Sequence, residues 1–205
     1  MVAQPKYSDR RMSPEDYLAW EAQQDIKYEY ERGKIIAMTG GTLPHSQVPA
    51  NFAALLVPHL RGKGCKVFVS DAKVMTGLGV YYYPDVAVTC DERDRNARDF
   101  LQYPSLIVES LSPTTEARDR GIKLQNYLRI ETLQEYVLID PDRPSFECYR
   151  RSQSPNWEYH SIEIEGTDFS LNDPTVYLAS VSLEFPLSFL YENIDFPMEI
   201  PETAG

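Results

Sequence analysis

The chain has 205 residues, of which 42% are hydrophobic and 25% are charged, and its formal net charge is −11. This length suits one domain with a substantial core and is slightly short for two. No apolar run approaches the roughly 18 residues of a membrane-spanning helix. The acidic balance argues against a broad basic surface that binds duplex DNA through many phosphates.

The three cysteines, Cys65, Cys90 and Cys148, stand singly in apolar, strand-like segments and form no CxxC pair. This spacing indicates neither a zinc site nor a disulfide framework. The first residues, 1–6, lack the apolar core of a signal peptide. We therefore expect buried thiols in a protein of the reducing cytoplasm, with no membrane partner.

The N-terminal third predicts a helix, a hairpin and a second helix. Residues 13–16, Ser-Pro-Glu-Asp, are typical of a helix start in which serine caps and proline takes the first position. Residues 27–38 alternate in part around an Arg-Gly turn, which favours a β-hairpin. A helix is expected after His45, with Pro49 in its first turn and Pro58 kinking or ending it.

Strands dominate the remainder. Two strands are predicted at 66–70 and 83–89, then an Arg/Asp-rich loop at 91–99, a strand at 104–111 and a helix from Ser112 to about Arg129. Further strands are expected at 135–140, 146–150 and 157–164, with a last strand and a short helix in 181–191. This order predicts an α/β (α+β) fold with a mixed central sheet flanked by helices. Residues 1–191 are expected to form one domain and residues 192–205 an acidic, solvated tail.

Two carboxylates stand at the ends of apolar strands. Asp85 follows Pro84 at the head of one strand, and Glu109 ends the next, directly before the predicted helix. Burying an unpaired carboxylate costs several kcal/mol, and the strand-to-helix junction is where α/β sheets bind ligands. If the two strands are neighbours, both carboxylates reach one point, and such oxygen ligands suit Mg²⁺ or Mn²⁺.

Lys123 is the third candidate. Glu116, Asp119, Lys123 and Tyr127 recur at helical spacing and share roughly one face. Either Asp119 and Lys123 form an exposed i,i+4 pair, or the ammonium faces the carboxylates. In the second case it can orient the attacking water, help to deprotonate it, or stabilise a pentacovalent phosphate.

The ordered string of these motifs resembles the Uma-two family of restriction-endonuclease-like proteins, within the PD-(D/E)XK nuclease superfamily. The resemblance covers roughly residues 12–190 and runs through the following segments: Tyr28-Glu29, Gly33-Lys34-Ile35, Met38, His45, Pro84-Asp85, 104–115, Asp119, Lys123, Tyr127, Glu135-Tyr136 and Asp140-Pro141. It implies a restriction-endonuclease-like core, Mg²⁺ (or Mn²⁺) held by Asp85 and Glu109, and hydrolysis of DNA phosphodiester bonds assisted by a lysine.

The chain departs from the superfamily pattern at one position. Two residues after Glu109 the superfamily has lysine, whereas this chain has Leu111. The Uma-two group resembles a variant in which a lysine of the following helix takes that role, and Lys123 is the matching residue. Glu29 matches an additional metal-binding acid or is a solvent-facing hairpin residue, and Glu31 is a fallback on the same strand face.

Further residues are candidates for the surroundings of the metal ligands: His45, Asp71, Ser112, Asp119 and Tyr127. Each has a structural alternative. A lone histidine is more often a cap or a packing residue, Asp71 is more typical of a strand-end cap, and Ser112 of a helix N-cap.

The partner expected from the resemblance is DNA. Tyr81-Tyr82-Tyr83 is able to stack on bases, but is more typical of a strand surface or a partner interface. The arginines of the 91–99 loop alternate with acids, which favours a solvated loop. A homodimer is expected because cutting both strands needs two sites.

The competing hypothesis is a catalytically weak or inactive nuclease fold that serves as a binding or assembly module. The missing lysine and the acidic charge favour it. An ammonium of Lys123 farther than about 6 Å from both carboxylates, beyond strong charge coupling, would support it.

Overall fold

The computed structural model describes residues 7–8, 12–38, 40–77, 79–152 and 156–197. Its strands are β1 (Tyr7–Ser8), β2 (Tyr28–Glu31), β3 (Lys34–Ala37), β4 (Lys66–Val69), β5 (Val74–Met75), β6 (Tyr81–Tyr82), β7 (Val86–Thr89), β8 (Leu106–Ser110), β9 (Glu135–Asp140), β10 (Ser145–Arg151), β11 (Trp157–Glu163), β12 (Thr175–Leu178) and β13 (Leu183–Pro186). Its α-helices are α1 (Pro14–Glu21), α2 (Leu43–Leu60), α3 (Glu116–Arg118) and α4 (Leu124–Tyr127). A π-helical turn, Asp119–Lys123, joins α3 to α4, and 3-10 turns lie at Glu92–Asp94 and Leu187–Tyr191.

A six-stranded mixed sheet with the order β11-β10-β9-β8-β7-β4 forms the centre. Only the β8–β9 pair is parallel among its strand pairs. Every residue of β8 is buried, as expected for a Leu-Ile-Val run covered on both faces. One face packs on α2 through Val48, Phe52 and Leu56, and the other on a cluster that includes Tyr127. The predicted mixed α+β architecture is confirmed.

A second sheet, of order β1-β3-β2-β6-β5, carries the predicted hairpin. Its strands β2 and β3 pair antiparallel, and Tyr30 packs with Tyr17 of α1 and Tyr81 of β6. Strands β12 and β13 form a separate two-stranded sheet. Among the helices so described, none is long and apolar enough to cross a membrane.

The predicted start agrees with the structure for α1 but not for α2. In α1, Ser13 accepts a hydrogen bond from the Asp16 N–H at 3.1 Å, as the cap pattern predicts. Helix α2 begins at Leu43 rather than after His45, because the Thr42 hydroxyl caps the His45 N–H at 3.3 Å. His45 therefore lies in the first helical turn.

The predicted helix from Ser112 to Arg129 is three short pieces. It starts at Glu116, and the Ser112 hydroxyl contacts the hydroxyls of Thr114 and Thr115 rather than a helix N–H. The prediction of Ser112 as an N-cap is therefore wrong. The π-helical turn in the middle was not visible from spacing alone, because the 3.6-residue period predicts a continuous α-helix.

The tyrosine segment was also misread as a strand surface. Tyr81, Tyr82 and Tyr83 are all buried, at 7% exposure or less. Tyr82 donates a hydrogen bond to Glu31 and Tyr83 to Glu21, both at 2.6 Å. These rings are thus part of the core and offer no surface for base stacking or for a partner.

The cysteine prediction is corrected in part. Cys65 and Cys90 form a disulfide, because the register that pairs Lys66 with Thr89 brings the preceding and following cysteines opposite each other. Cys148 is a buried free thiol, as expected. Sequence spacing does not reveal this pairing, because the two cysteines are 25 residues apart and meet only when β4 pairs with β7. A disulfide also removes the support that free thiols gave to a cytoplasmic location.

The acidic tail is not wholly solvated where the structure describes it. Ile194 and Phe196 pack against the main core, and the Phe196 ring lies 5.3 Å from the Tyr191 ring. Glu192 and Asp195 are exposed. Residues 198–205 lie outside the described part, and the expected boundary at residue 191 stays a prediction.

Candidate active site

Two neighbouring strands bring Asp85 and Glu109 together. Strands β7 and β8 pair antiparallel with Val86 opposite Val108, so the next step of the register sets Asp85 opposite Glu109. Asp85 Oδ2 accepts a hydrogen bond of 2.7 Å from the Ser110 N–H, which ties it to the end of β8. The two carboxylates therefore share one edge of the central sheet.

Lys123 reaches Glu109 and two further carboxylates. Its Nζ lies 2.7 Å from Glu109 Oε1, 3.0 Å from Asp119 Oδ1 and 3.3 Å from Glu29 Oε1. Its side chain is only 6% exposed. The Asp119–Lys123 pair does form at i,i+4, but it is buried inside the cluster and not on a solvated face.

Glu29 faces the cluster and not solvent. Its Oε1 approaches Lys123, and its Oε2 accepts a hydrogen bond of 2.9 Å from Arg118. Arg118 also donates to Glu31 at 3.2 Å. Sequence reasoning did not single out Arg118. Arg118 directly precedes Asp119 and stands five positions before Lys123. Side chains at that spacing diverge on an α-helix, so the helical pattern did not indicate it.

A tyrosine fixes the other side of Glu109. The Tyr127 hydroxyl donates to Glu109 Oε1 at 3.1 Å, and the hydroxyl of Tyr136 donates to the Asp119 carbonyl at 3.0 Å. Both rings are fully buried. Tyr127 was among the predicted surroundings of the ligands, and the structure brings it to Glu109.

His45 lies at the entrance of the cluster. Its Nε2 is 3.9 Å from Asp85 Oδ2. A Cβ at position 41 would lie 2.6 Å from His45 Nδ1, so the imidazole occupies this place because residue 41 is glycine. The first turn of α2 therefore presents a polar ring to the same pocket as Asp85.

The structure separates Asp71 from this group. Asp71 is 82% exposed at its side chain, forms an ion pair with Lys27 and does not line the pocket. Ser112 does line the pocket, although it is not a helix cap.

The cluster borders a pocket of about 390 Å³. Its charged and imidazole lining residues are Glu29, His45, Asp85, Glu109, Arg118, Asp119 and Lys123. Four carboxylates therefore face two permanent cations, and Arg118 is also shared with Glu31 outside the lining. With all four carboxylates ionised, the pocket would hold an excess of negative charge, which a divalent cation would neutralise.

Burial and this crowding shift the titration of the group. Burial raises the pKa of Glu109 well above its usual value, and the charge of Lys123 opposes the rise without cancelling it. Burial likewise raises the pKa of Asp85, against the opposing effects of His45 and the Ser110 N–H. For Lys123, burial lowers the pKa, but Asp119, Glu109 and Glu29 outweigh it and hold the pKa well above the usual value.

The oxygen donors of Asp85 and Glu109 fit a hard cation. Within the described residues, Asp85 Oδ1 and Glu109 Oε2 make no hydrogen bond, so one oxygen of each carboxylate is uncommitted. Across the same residues, however, no three His, Cys, Asp or Glu side chains are arranged to hold a metal ion. Both oxygens of Glu29 contact cations. The three-carboxylate set stays a prediction, and a two-carboxylate set completed by water and phosphate suits Mg²⁺ better.

One family model and two relatives match this chain. A family model described as "Putative restriction endonuclease", named Uma2, matches residues 14–184. Two similar proteins of Synechocystis sp. (strain ATCC 27184 / PCC 6803 / Kazusa) bear the names "Uncharacterized protein slr1290" and "Uncharacterized protein sll1609". The first is 36% identical over 91% of this chain and 94% of its own length, and the second 32% identical over 69% and 82%.

A solved structure shares the fold. It is described as a putative nuclease belonging to DUF820 from Anabaena variabilis ATCC 29413, and it superposes with a TM-score of 0.70. The match covers 88% of this chain and 98% of that chain at 20% sequence identity. At this identity the likeness concerns the fold alone.

Proposed function

This chain belongs to the Uma2 family of restriction-endonuclease-like proteins, and from that premise we propose that it is a metal-dependent endonuclease that hydrolyses phosphodiester bonds in DNA. The observation that carries the proposal is the 2.7 Å contact between Lys123 Nζ and Glu109 Oε1. Leu111, where the superfamily has its lysine, is buried in an apolar cluster. Lys123 supplies the missing ammonium from the following helix.

The proposed roles follow from the contacts. Asp85 and Glu109 would hold Mg²⁺ or Mn²⁺, which supplies a bound water of lowered pKa and polarises the phosphate. Lys123, kept protonated by its three carboxylates, orients the water or neutralises charge that develops on the oxygens of the phosphate. In the net reaction the water oxygen bonds to phosphorus, the bond to the leaving sugar oxygen breaks, and one water proton passes to that oxygen or to solvent.

The test is nicking of supercoiled plasmid by purified protein in Mg²⁺, in Mn²⁺ and in EDTA. We expect cleavage only with metal, and a loss of about 100-fold or more in Asp85→Asn and Lys123→Met, in the range for removing a charge-stabilising group. Asp71→Asn and Lys63→Met are matched controls, because both residues are exposed and outside the pocket. They should cut at the wild-type rate.

Absence of cleavage of every nucleic acid tested, with either metal, would overturn this function and leave the alternative of a nuclease-fold binding or assembly module. Equal cleavage by Asp85→Asn and wild type would exclude Asp85 as a metal ligand that the reaction needs. The expected homodimer and the cytoplasmic location stay predictions.

A further inference from the structure

The ion-pair network around Lys123 extends through Arg118 into the N-terminal hairpin. Arg118 is 19% exposed, and its guanidinium bonds Glu29 at 2.9 Å and Glu31 at 3.2 Å. Glu31 also accepts from the Tyr82 hydroxyl, which in turn accepts from Asn126 of α4 at 2.7 Å. Hydrogen bonds and ion pairs thus connect the carboxylates of β2 to the helical segment 116–127, which contains Lys123.

The π-helical turn explains how Arg118 and Lys123 reach the same glutamate. On an α-helix, residues five apart point about 140° away from each other. A π-helical turn is closed by i→i+5 hydrogen bonds and is wider than an α-helical turn, so residue i+5 points nearer to the direction of residue i. Residues 119–123 form this turn. Arg118 and Lys123 therefore meet Glu29 from one side, each at its own oxygen.

We propose that Arg118 and Glu29 are positioning residues: the π-helical turn aims Arg118 at Glu29, and Glu29 so held fixes the ammonium of Lys123 against Glu109. This assignment rests on the proposed nuclease function for its consequence, since it states how the reacting lysine is held in place. It reassigns Glu29 from metal ligand to lysine support. Both Glu29 oxygens are engaged by cations, whereas Asp85 and Glu109 each keep one oxygen uncommitted.

The chain offers a matched control in the same turn. Arg120 also bridges two carboxylates, Glu116 at 2.8 Å and Glu147 at 2.5 Å, but it contacts neither Glu29 nor Lys123 and does not line the pocket. Arg118→Met and Arg120→Met therefore each remove an arginine that pairs with two carboxylates, at positions two residues apart. A general loss of helix stability would appear in both.

The kinetic test compares these variants in metal-dependent DNA cleavage. Arg118→Met should lower kcat about 10- to 100-fold, the usual cost of losing a supporting partner, with KM changed less than about threefold. Arg118→Lys should restore part of the rate, because charge is kept but the two-armed fork is lost. Arg120→Met should remain near wild type. A raised KM with unchanged kcat in Arg118→Met, or an equal loss in Arg120→Met, would overturn the assignment.

A second test does not need nuclease activity. Lys123 in the intact protein should resist acylation by acetic anhydride, read by mass spectrometry, because it is buried and paired. We expect Arg118→Met and Glu29→Gln to raise the labelling of Lys123 about tenfold, which is the lower end of the usual effect of removing a supporting partner. Arg120→Met should leave the labelling unchanged. Unchanged labelling in Arg118→Met and Glu29→Gln would refute the positioning role even if the protein cuts DNA. Raised labelling in a protein that cuts nothing would support the positioning role while the nuclease function fails.

Metal binding separates the two roles of Glu29. If Glu29 is a support and not a ligand, Glu29→Gln should keep the rise in Tm that Mn²⁺ gives to the wild type, whereas Asp85→Asn should lose it. Loss of the Mn²⁺ effect in Glu29→Gln would show that Glu29 binds the metal and would overturn the reassignment.

Discussion

At the scale of single residues, the site is built from buried charges that compensate one another incompletely. Glu109 is 5% exposed at its side chain and still depends on a lysine shared with two other carboxylates. Sharing one ammonium among three acids leaves each with less than a full counter-charge. A divalent cation would neutralise the remaining negative charge. Without metal that charge stays uncompensated, so the stability of the site should depend on pH.

We expect the metal-free protein to lose stability as pH rises above the ordinary carboxyl pKa of about 4 toward the raised pKa of the folded state. The sign follows from the raised pKa of Asp85 and Glu109, whose folded forms hold protons more tightly than the unfolded chain. In this window the unfolded state binds fewer protons, so stability falls as pH rises. Asp85→Asn should flatten the fall.

The measurement is Tm against pH in EDTA and in Mg²⁺. Added Mg²⁺ should stabilise most at the upper end of the window, where protons compete least for the carboxylates. Asp71→Asn is the control, because this exposed acid lies outside the pocket. An Asp85→Asn protein with the same pH dependence as wild type would contradict the prediction.

The candidate site could be predicted from sequence only where it depends on local pattern. Asp85 and Glu109 were identifiable because Asp85 begins one apolar strand and Glu109 ends the next, and Lys123 because it follows at helical spacing and matches a family. Arg118 was not, because its role depends on a π-helical turn that a 3.6-residue period does not reveal. Asp71 was a candidate because it follows a strand, but its side chain is exposed to solvent.

At the scale of elements, the long strands were predictable and the shortest were not. Strands β9, β10 and β11 carry clear patterns over six or seven residues. Strands β5 and β6 have two residues each, so they are defined by their partners and not by a period of their own. The disulfide was missed for the same reason, since it depends on which strands become neighbours.

Reduction of the Cys65–Cys90 disulfide should destabilise the protein without affecting the site. The bond closes a loop with a sequence separation of 25, for which chain entropy gives about 3.5 kcal/mol. It joins the end of β7 opposite to Asp85, so metal binding should be unchanged. The measurement is Tm with and without dithiothreitol.

Two variants control this experiment. The Cys65→Ser/Cys90→Ser double variant should have a low Tm that no longer responds to reductant. Cys148→Ser should retain the response, because Cys148 is free. An unchanged wild-type Tm after reduction confirmed by mass spectrometry would contradict the prediction.

At the scale of the whole molecule, charge restricts how nucleic acid can approach. The net charge is −11. Beside the site lies a groove of about 1220 Å³, whose acidic lining residues are Glu116, Asp140, Asp142, Glu163 and Glu165. Ser112 and Pro113 line both this groove and the pocket that Glu109 and Lys123 border. Among the described residues, the cations that line this pocket are Arg118 and Lys123, and both already form ion pairs with glutamates.

DNA binding by this protein should therefore depend weakly on monovalent salt. Each phosphate neutralised by a protein cation contributes about −0.9 to the slope of log K against log salt, and proteins with broad basic surfaces form about 6 to 10 such contacts. We expect a slope no steeper than about −3 because few unpaired cations face the pocket. The slope is measured by fluorescence anisotropy of labelled DNA at a series of monovalent salt concentrations. Ca²⁺, which also binds oxygen ligands, is the divalent cation in this measurement.

The groove supplies the control for this last prediction. Glu163→Gln and Glu165→Gln remove exposed negative charges from its wall but add no cation that could release counterions. They should raise DNA affinity while leaving the slope unchanged, because repulsion falls and the number of neutralised phosphates does not. A wild-type slope near −6 or steeper would instead require a basic surface, and would contradict the prediction that few protein cations meet the phosphates.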